Sequence, residues 1–213
     1  SRLGPSCISI EPLPGMNPPE NSQLPDREAV FSARLHRKND NYRPEEYRIR
    51  VLWMLCRPLL RIIPRFLYEW RNRVLRLFGA KIGKDVRLYP TVDIFFPWNL
   101  EIGEEVTIGD KVQLYSLGKI RIGDGTMISY GAHFCAGTHD YTRRNLPLLK
   151  PEIRLGRGIW VCAEAFVGPD IEVGDYSIIG ARAALFKSFP ACSIIGGNPA
   201  RRIKERPLPE AHP

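Results

Sequence analysis

The sequence lacks the cysteine pattern of a disulfide-stabilised protein and any long hydrophobic run. Its five cysteines are odd in number and include no Cys-x-x-Cys pair: Cys7, Cys56, Cys135, Cys162 and Cys192. This usage favours a reducing cytoplasm over a disulfide framework. The most apolar segment, within residues 44–78, is interrupted by arginines, so it does not have the pattern of a membrane-spanning helix.

Acidic residues are scarce in one part of the chain. The net charge of the chain is +8. Residues 48–81 hold nine basic residues and one acid, Glu69, so this segment alone accounts for a net charge of +8. Taken as a whole, the chain has the composition of an ordinary soluble globular protein, with 44% hydrophobic and 25% charged residues. Because the basic residues lie along an apolar helical segment and do not alternate with stacking aromatics, we expect no nucleic-acid partner.

The first 80 residues divide into two regions. Residues 1–43 are rich in Pro, Asn and Ser and show no periodicity, which predicts a disordered or loosely packed leader. Residues 44–80 predict an amphipathic basic helical segment, since Pro44 suits a first helical position and Gly79 follows the end. Pro58 and Pro64 are expected to kink or divide it.

This helical segment has two compatible interpretations. Large apolar residues on one side and arginines on the other are typical of a helix that lies on an anionic membrane surface. Alternatively, the segment covers the exposed end of the following domain, and its arginines are only solvated.

A six-residue repeat begins at Ile82, with the pattern I-G-x-x-V-x. Glycine takes the second position in eight of its units, where we expect the chain to turn. All fifteen first positions are large and apolar: Ile82, Leu88, Ile94, Ile102, Ile108, Leu114, Ile122, Ile128, Phe134, Leu155, Val161, Val167, Val173, Ile179 and Leu185.

The repeats group in threes, since units that start at 82, 102 and 122 are twenty residues apart. Three short strands joined by tight corners form one coil of a prism, and stacked coils pair their strands in parallel. The first-position side chains then point inward. The predicted fold class is therefore all-β, a parallel β-helix over residues 81–197.

Apart from a two-residue insertion in each of the first two coils, the repeat has one long interruption, directly after a histidine. In "FCAGTHDYTRRNLPLLKPEIRLG" the six-residue repeat stops after His139 and resumes at Leu155. Residues 140–154 must therefore leave the prism as an extended loop, with His139 at its root.

Several motifs resemble those of a known family. "GTHDY" and "IIGARAALFKSFPACSIIGGNPARRIK" are similar to signatures of the hexapeptide-repeat acyltransferases, whose fold is a left-handed parallel β-helix. "WRNRVLRLFGAKIGK", "PWNLEIG", "LYSLGKIRIG" and "THDYT" resemble the colanic acid biosynthesis acetyltransferases. The similarity covers residues 66–206. It implies a homotrimer that uses acetyl-CoA, without a metal, to acetylate a nucleotide-linked or lipid-linked sugar for exopolysaccharide.

The resemblance assigns His139 as the general base. A neutral imidazole removes the proton of the sugar hydroxyl while its oxygen attacks acetyl-CoA directly. Backbone N–H groups at a coil corner are expected to stabilise the oxyanion. No Ser-His-Asp spacing is visible, so we expect no acyl-enzyme. The alternative is that His139 is a solvated histidine at a corner.

Acceptor-binding candidates lie near this histidine. Asp140 could orient the imidazole or contact substrate, but it could equally form the turn. Ser116 and Tyr141 are expected to line the acceptor pocket. Galactoside and maltose relatives usually carry an asparagine near the earlier loop that "LYSLG" lacks, so the resemblance does not identify the acceptor.

The resemblance also implies a CoA site in the groove between two prisms. Trp160 and Ala163 would flank the pantetheine arm, and Gly180 and Ala181 would contact it. Lys187, Arg201 and Lys204 would approach the phosphates or adenine, with residues 198–213 as a CoA-proximal tail. The alternative is a surface aromatic and a solvated tail.

Two other functions share this fold pattern. A γ-class carbonic anhydrase binds zinc with three histidines, but the repeats hold only His133 and His139. A non-catalytic scaffold would keep the prism without its chemistry, and the intact His139 and basic C-terminal signature argue against it. We assign no role to His133.

Overall fold

The computed structural model describes His36, Tyr42 and residues 44–207. The predicted leader therefore lies outside the described residues except for His36 and Tyr42, as do residues 208–213 of the tail. The helices are α1 (Pro44–Ile62) and α2 (Tyr68–Leu77), with a short 3-10 helix at Pro97–Asn99. The strands are β1 (Lys81–Ile82), β2 (Arg87–Leu88), β3 (Asp93–Ile94), β4 (Leu100–Ile102), β5 (Thr107–Ile108), β6 (Gln113–Tyr115), β7 (Ile120–Ile122), β8 (Met127–Ile128), β9 (His133–Cys135), β10 (Thr138–His139), β11 (Leu148–Leu149), β12 (Ile153–Leu155), β13 (Trp160–Val161), β14 (Phe166–Val167), β15 (Ile171–Val173), β16 (Ile178–Ile179), β17 (Ala184–Leu185), β18 (Ser193–Gly196) and β19 (Arg201–Glu205).

Three parallel sheets form the three faces of a prism. The first face has the order β1-β4-β7-β12-β15, and the third face has the order β3-β6-β9-β14-β17. The second face runs β2-β5-β8-β13-β16-β18 and ends with β19, which pairs antiparallel with β18. Neighbouring coils are in register, as in the pairing of Ile82 with Ile102. The prediction of a parallel β-helix preceded by helices is confirmed.

The core is a stack of the first-position side chains. Fourteen of the fifteen are buried, with relative exposures of 0–4%, and the remaining one, Ile82, packs against them. Burying each such side chain contributes roughly 1.5–3 kcal/mol. The interior apolar column is therefore the main source of stability for the prism.

Glycine at the second position of the repeat leaves room for the backbone of the next coil. In most units the fourth residue has a left-handed conformation, such as Asp85 with a φ of 53° or Arg182 with a φ of 57°. At the second position, a Cβ on Gly83 would lie 2.6 Å from the carbonyl carbon of Gly103 in the next coil. Second-position glycine thus permits close stacking, while the sharpest turn falls two residues later.

The loop after His139 is an antiparallel hairpin. Thr138 and His139 of β10 pair with Leu149 and Leu148 of β11. The predicted loop bounds of 140–154 are two residues too long, because Ile153 already belongs to the first face and pairs with Ile120 and Ile171.

The two helices cover the N-terminal end of the prism. Pro64 lies between them as predicted, whereas Pro58 lies inside α1 without dividing it. Trp53, Leu60 and Leu75 are buried against the first coil. Among the described residues, neither helix is both long and apolar enough to cross a bilayer.

Polar side chains of α2 satisfy the backbone of the first coil. Arg71 is 2% exposed and donates to the carbonyls of Leu88 and Ile63, while Asn72 donates to Val86 O at 2.8 Å. Arg76 donates to Ile82 O at 3.1 Å and Gly83 O at 2.9 Å. The expectation that the arginines of this segment are only solvated is wrong for these two, because they cap carbonyls at the end of the prism.

We expect Arg71→Leu to lower the free energy of unfolding by about 3 kcal/mol, since it leaves buried carbonyl oxygens without donors. Arg73→Leu on the same helix is the matched control. Its side chain is 67% exposed and pairs with Glu69 at 3.7 Å, so a change below about 0.5 kcal/mol is expected. Urea unfolding measures both, and equal losses in the two variants would contradict the capping role.

Candidate functional site

His139 ends β10 and is held by the loop that follows it. Its Nδ1 lies 2.8 Å from the carbonyl oxygen of Leu146, and the side chain is exposed. A carbonyl oxygen can only accept, so Nδ1 must carry the hydrogen. The neutral ring then presents Nε2 as an unprotonated acceptor, which is the state a general base needs.

The backbone of the loop is shaped to aim this carbonyl. Leu146 has a φ of 43°, a left-handed conformation that is uncommon for a residue other than glycine. Its N–H donates to Arg143 O at 3.0 Å, and the N–H of Asp140 donates to Pro147 O at 3.0 Å. These bonds close the hairpin and place Leu146 O beside the imidazole.

Asp140 is engaged within the loop. Its carboxylate accepts hydrogen bonds from the hydroxyl and N–H of Thr142, the latter at 3.0 Å, and pairs with Arg143 at 3.3 Å. The Thr142 hydrogen bonds hold the pKa of this carboxyl below its ordinary value. The geometry favours the turn-forming interpretation of Asp140. Tyr141 stands next to it, 88% exposed.

Ser116 lies inside the prism. It is 0% exposed, and its hydroxyl both accepts from Phe96 N and donates to Phe96 O at 2.9 Å. An acceptor sugar could reach this hydroxyl only by displacing the Phe96 backbone. We therefore remove Ser116 from the candidate acceptor site.

The predicted CoA-binding residues follow the second face and its corners. Trp160 in β13 is 43% exposed and donates from Nε1 to Ser129 Oγ at 3.2 Å. Ala163 accepts from Arg182 N at 3.0 Å, so the corner at 163 stacks directly against the corner at 180–182, which contains Gly180 and Ala181.

The three predicted phosphate-binding residues are all exposed. Lys187 follows β17 of the third face, whereas Arg201 and Lys204 lie on β19 at the end of the second face. His139 instead follows β9 of the third face and leaves the prism there. The structure thus places most of the predicted CoA-binding residues on the second face of the prism, whereas His139 leaves from the third face of the same chain.

No family model matches the chain. Its family is identified instead by comparison with individual known proteins. It is 40% identical over 159 residues to WcaF of Escherichia coli (strain K12), assigned as a colanic acid biosynthesis acetyltransferase, and the match covers 75% of this chain and 87% of WcaF. The chain belongs to the WcaF family of acetyltransferases.

Solved structures show the same fold. A hexapeptide-repeat acetyltransferase from Vibrio cholerae, complexed with acetyl-CoA, superposes with a TM-score of 0.71 at 21% identity, over 79% of this chain and 93% of that one. A galactoside acetyltransferase in complex with CoA superposes with a TM-score of 0.70 at 19% identity, over 78% and 84%.

An aromatic cluster beside the loop root of this WcaF-family protein was not predicted. The rings of Phe95 and Tyr115 lie 4.6 Å apart, and a Cβ on Gly137 would lie 3.3 Å from Tyr115 Cε1. Burial raises the pKa of Tyr115. Because Phe95 and Tyr115 are twenty residues apart, the coil period could have placed them together on the third face.

The second histidine of the repeats has a different environment. His133 is half-buried in β9, and burial lowers its pKa. Its ring packs edge-to-face with that of Phe166, with the two ring centroids 5.4 Å apart. Within the part of the chain that the structure describes, no cluster of three or more His, Cys, Asp or Glu residues is arranged to hold a metal ion.

Proposed function

We propose that this protein transfers an acetyl group from acetyl-CoA to a sugar hydroxyl in exopolysaccharide synthesis, with His139 as the general base. The observation that carries the proposal is the hydrogen bond from His139 Nδ1 to Leu146 O at 2.8 Å. It leaves Nε2 free to accept a proton. Family membership supports acetyl transfer, and the resemblance of WcaF to this chain supports a sugar acceptor of the colanic acid type.

The proposed reaction is a direct transfer. Nε2 takes the hydroxyl proton as the sugar oxygen bonds to the thioester carbonyl carbon, and the C–S bond then breaks. The imidazolium returns its proton to the departing CoA sulfur, so the products are an acetyl ester and the free thiol. Leu146 O also stabilises the imidazolium, because a hydrogen bond to a charged donor is stronger than one to a neutral donor. Backbone N–H groups at a corner serve as the oxyanion donors.

His139→Gln removes the base, so kcat is expected to fall about 10²–10⁴-fold while the KM for acetyl-CoA changes little. His133→Gln is the matched control and should retain near wild-type kcat, because that imidazole packs against Phe166. Release of CoA thiol across nucleotide-linked and lipid-linked sugars measures both. Full activity in the His139 variant contradicts the proposed base.

We propose that the complete site forms between subunits of a homotrimer. The residues assigned to CoA lie mainly on the second face, and His139 leaves from the third face. A neighbouring copy can set the second face of one prism opposite the loop of another. A cyclic arrangement repeats this heterologous contact three times and closes the ring.

Subunit mixing tests this shared site. Chains with His139→Gln and chains with Ala181→Trp are each expected to be inactive, the second because the exposed corner at Ala181 becomes blocked. After unfolding and refolding together in equal amounts, about one quarter of the sites would combine two intact halves. Activity that stays at zero in mixed oligomers, or a native mass of one chain, would contradict a site built from two subunits.

The outer surface of the helices supports a membrane-facing role, which we include in the proposal. Val51, Leu52, Leu55, Leu59 and Ile62 are 52–76% exposed and follow one side of α1, opposite the buried Trp53 and Leu60. The surface continues at Phe66 and Trp70, exposed by 77% and 60%. A soluble monomer rarely leaves so continuous an apolar surface uncovered.

Basic residues border this apolar surface and suit an anionic leaflet. Arg48, Arg61 and Arg73 are exposed on the same two helices. Each such residue near an anionic surface contributes about 1 kcal/mol of attraction. The arginines that cap the prism, by contrast, donate to carbonyls of the first coil.

We expect Leu55→Gln with Leu59→Gln to abolish co-sedimentation with vesicles that contain anionic phosphatidylglycerol. Ile203→Gln, at an equally exposed position in β19, should leave it unchanged. Replacement of phosphatidylglycerol by phosphatidylcholine should weaken wild-type binding. If the wild-type protein binds neither vesicle and the double variant changes the native mass instead, the surface is a subunit contact.

A further inference from the structure

A third histidine reaches the site from outside the β-helix. The His36 ring centroid lies 5.1 Å from that of His139, with the planes at 71°, an edge-to-face arrangement. His36 Nδ1 lies 3.1 Å from Asn145 O and 3.2 Å from Leu146 O. The residue precedes the loop by more than 100 positions, so neither the repeat nor the motifs around His139 pointed to it.

The two imidazoles share one acceptor. Carbonyl oxygens only accept, so Nδ1 of His36 carries a hydrogen, as does Nδ1 of His139. Leu146 O therefore receives a hydrogen bond from each ring, at 3.2 Å and 2.8 Å. Leu146 itself is held at a φ of 43°, where a non-glycine residue is under strain. An additional donor on this carbonyl and on that of Asn145 stabilises the strained turn.

We propose that His36 is a positioning residue for the acyl-transfer reaction. It acts through the Leu146 carbonyl and through its edge contact with the His139 ring, and it keeps that ring in the orientation that presents Nε2. The inference rests on the proposed role of His139 as general base. It assigns a function to His36, which lies outside the part of the chain that the family resemblance covers.

A second described residue of the same region contacts the other end of the loop. The Tyr42 ring lies 4.6 Å from Lys150 Nζ, directly after β11, and 6.1 Å from the ring of Phe96. On the helix side, the Arg50 guanidinium lies 3.6 Å from the Tyr42 ring centroid. Contacts at both ends of the hairpin make His36 part of a docked arrangement that spans α1, the aromatic cluster and the loop.

The test compares three replacements in the full chain. His36→Ala removes the donor and the ring edge, and kcat is expected to fall about tenfold, since small displacements of a catalytic group cost up to about 10²-fold. His36→Asn places an amide N–H near the position of Nδ1 and should recover most of the rate. His36→Gln, whose amide extends toward the position of Nε2, should resemble His36→Ala. The KM for acetyl-CoA should stay within about twofold in all three.

A spectroscopic signature separates positioning from general folding. In ¹⁵N NMR spectra of imidazole-labelled protein, His139 should show the Nδ1–H tautomer in the wild type and in His36→Asn, and a mixture of tautomers in His36→Ala. Wild-type kcat and an unchanged His139 tautomer in His36→Ala would overturn the inference. Equal losses in the Ala and Asn variants would also overturn it.

Measuring His139→Gln in the same assay distinguishes a failure of the inference on His36 from a failure of the proposed function. If His139→Gln is inactive and His36→Ala is fully active, only the inference on His36 fails. If His139→Gln retains full turnover, the general base was wrongly assigned and the proposed function fails first.

Discussion

The close stacking of coils is the constraint on which the rest of this structure depends. Parallel strands pair at a spacing of roughly 4.8 Å, which leaves no space for a Cβ at positions such as Gly83. A functional insertion must therefore leave the prism between two repeats. The hairpin after His139 does so, and its root stays fixed because β9 and β12 on either side remain paired within their faces.

The same stacking creates two ends that need covering. Strands at the end of a sheet expose unpaired backbone groups, which invite association with other chains. At the N-terminal end, Arg71, Asn72 and Arg76 supply donors to those carbonyls. These polar groups of α2 turn inward. On α1, apolar residues lie on the outer side as well as on the side that buries Trp53 and Leu60, unlike an ordinary surface helix.

The sequence was sufficient for the prism because its signal is local and repeated. Phe134 and Leu155, on either side of the break, are buried in the core as predicted. It was insufficient where a role depends on residues far apart in the chain. Ser116 turns inward because the Phe96 backbone twenty residues earlier pairs with its hydroxyl, and Arg71 is buried because the first coil offers carbonyls. The carbonyl that orients His139 was equally invisible, since a hydrogen bond to a backbone carbonyl has no residue signature.

An imidazole on a protruding loop must be oriented by something other than the core. The amides and carbonyls of the prism are largely used in pairing between coils, so the loop has to supply its own acceptor to the imidazole. Leu146 provides it at the cost of a left-handed backbone, and a donor from a distant part of the chain meets the same oxygen. Catalytic geometry is most precise when the groups around the reacting side chain are themselves fixed. His36 and the loop after His139 thus meet at one carbonyl oxygen, and under the proposed positioning role His36 contributes at a distance what the β-helix cannot provide locally.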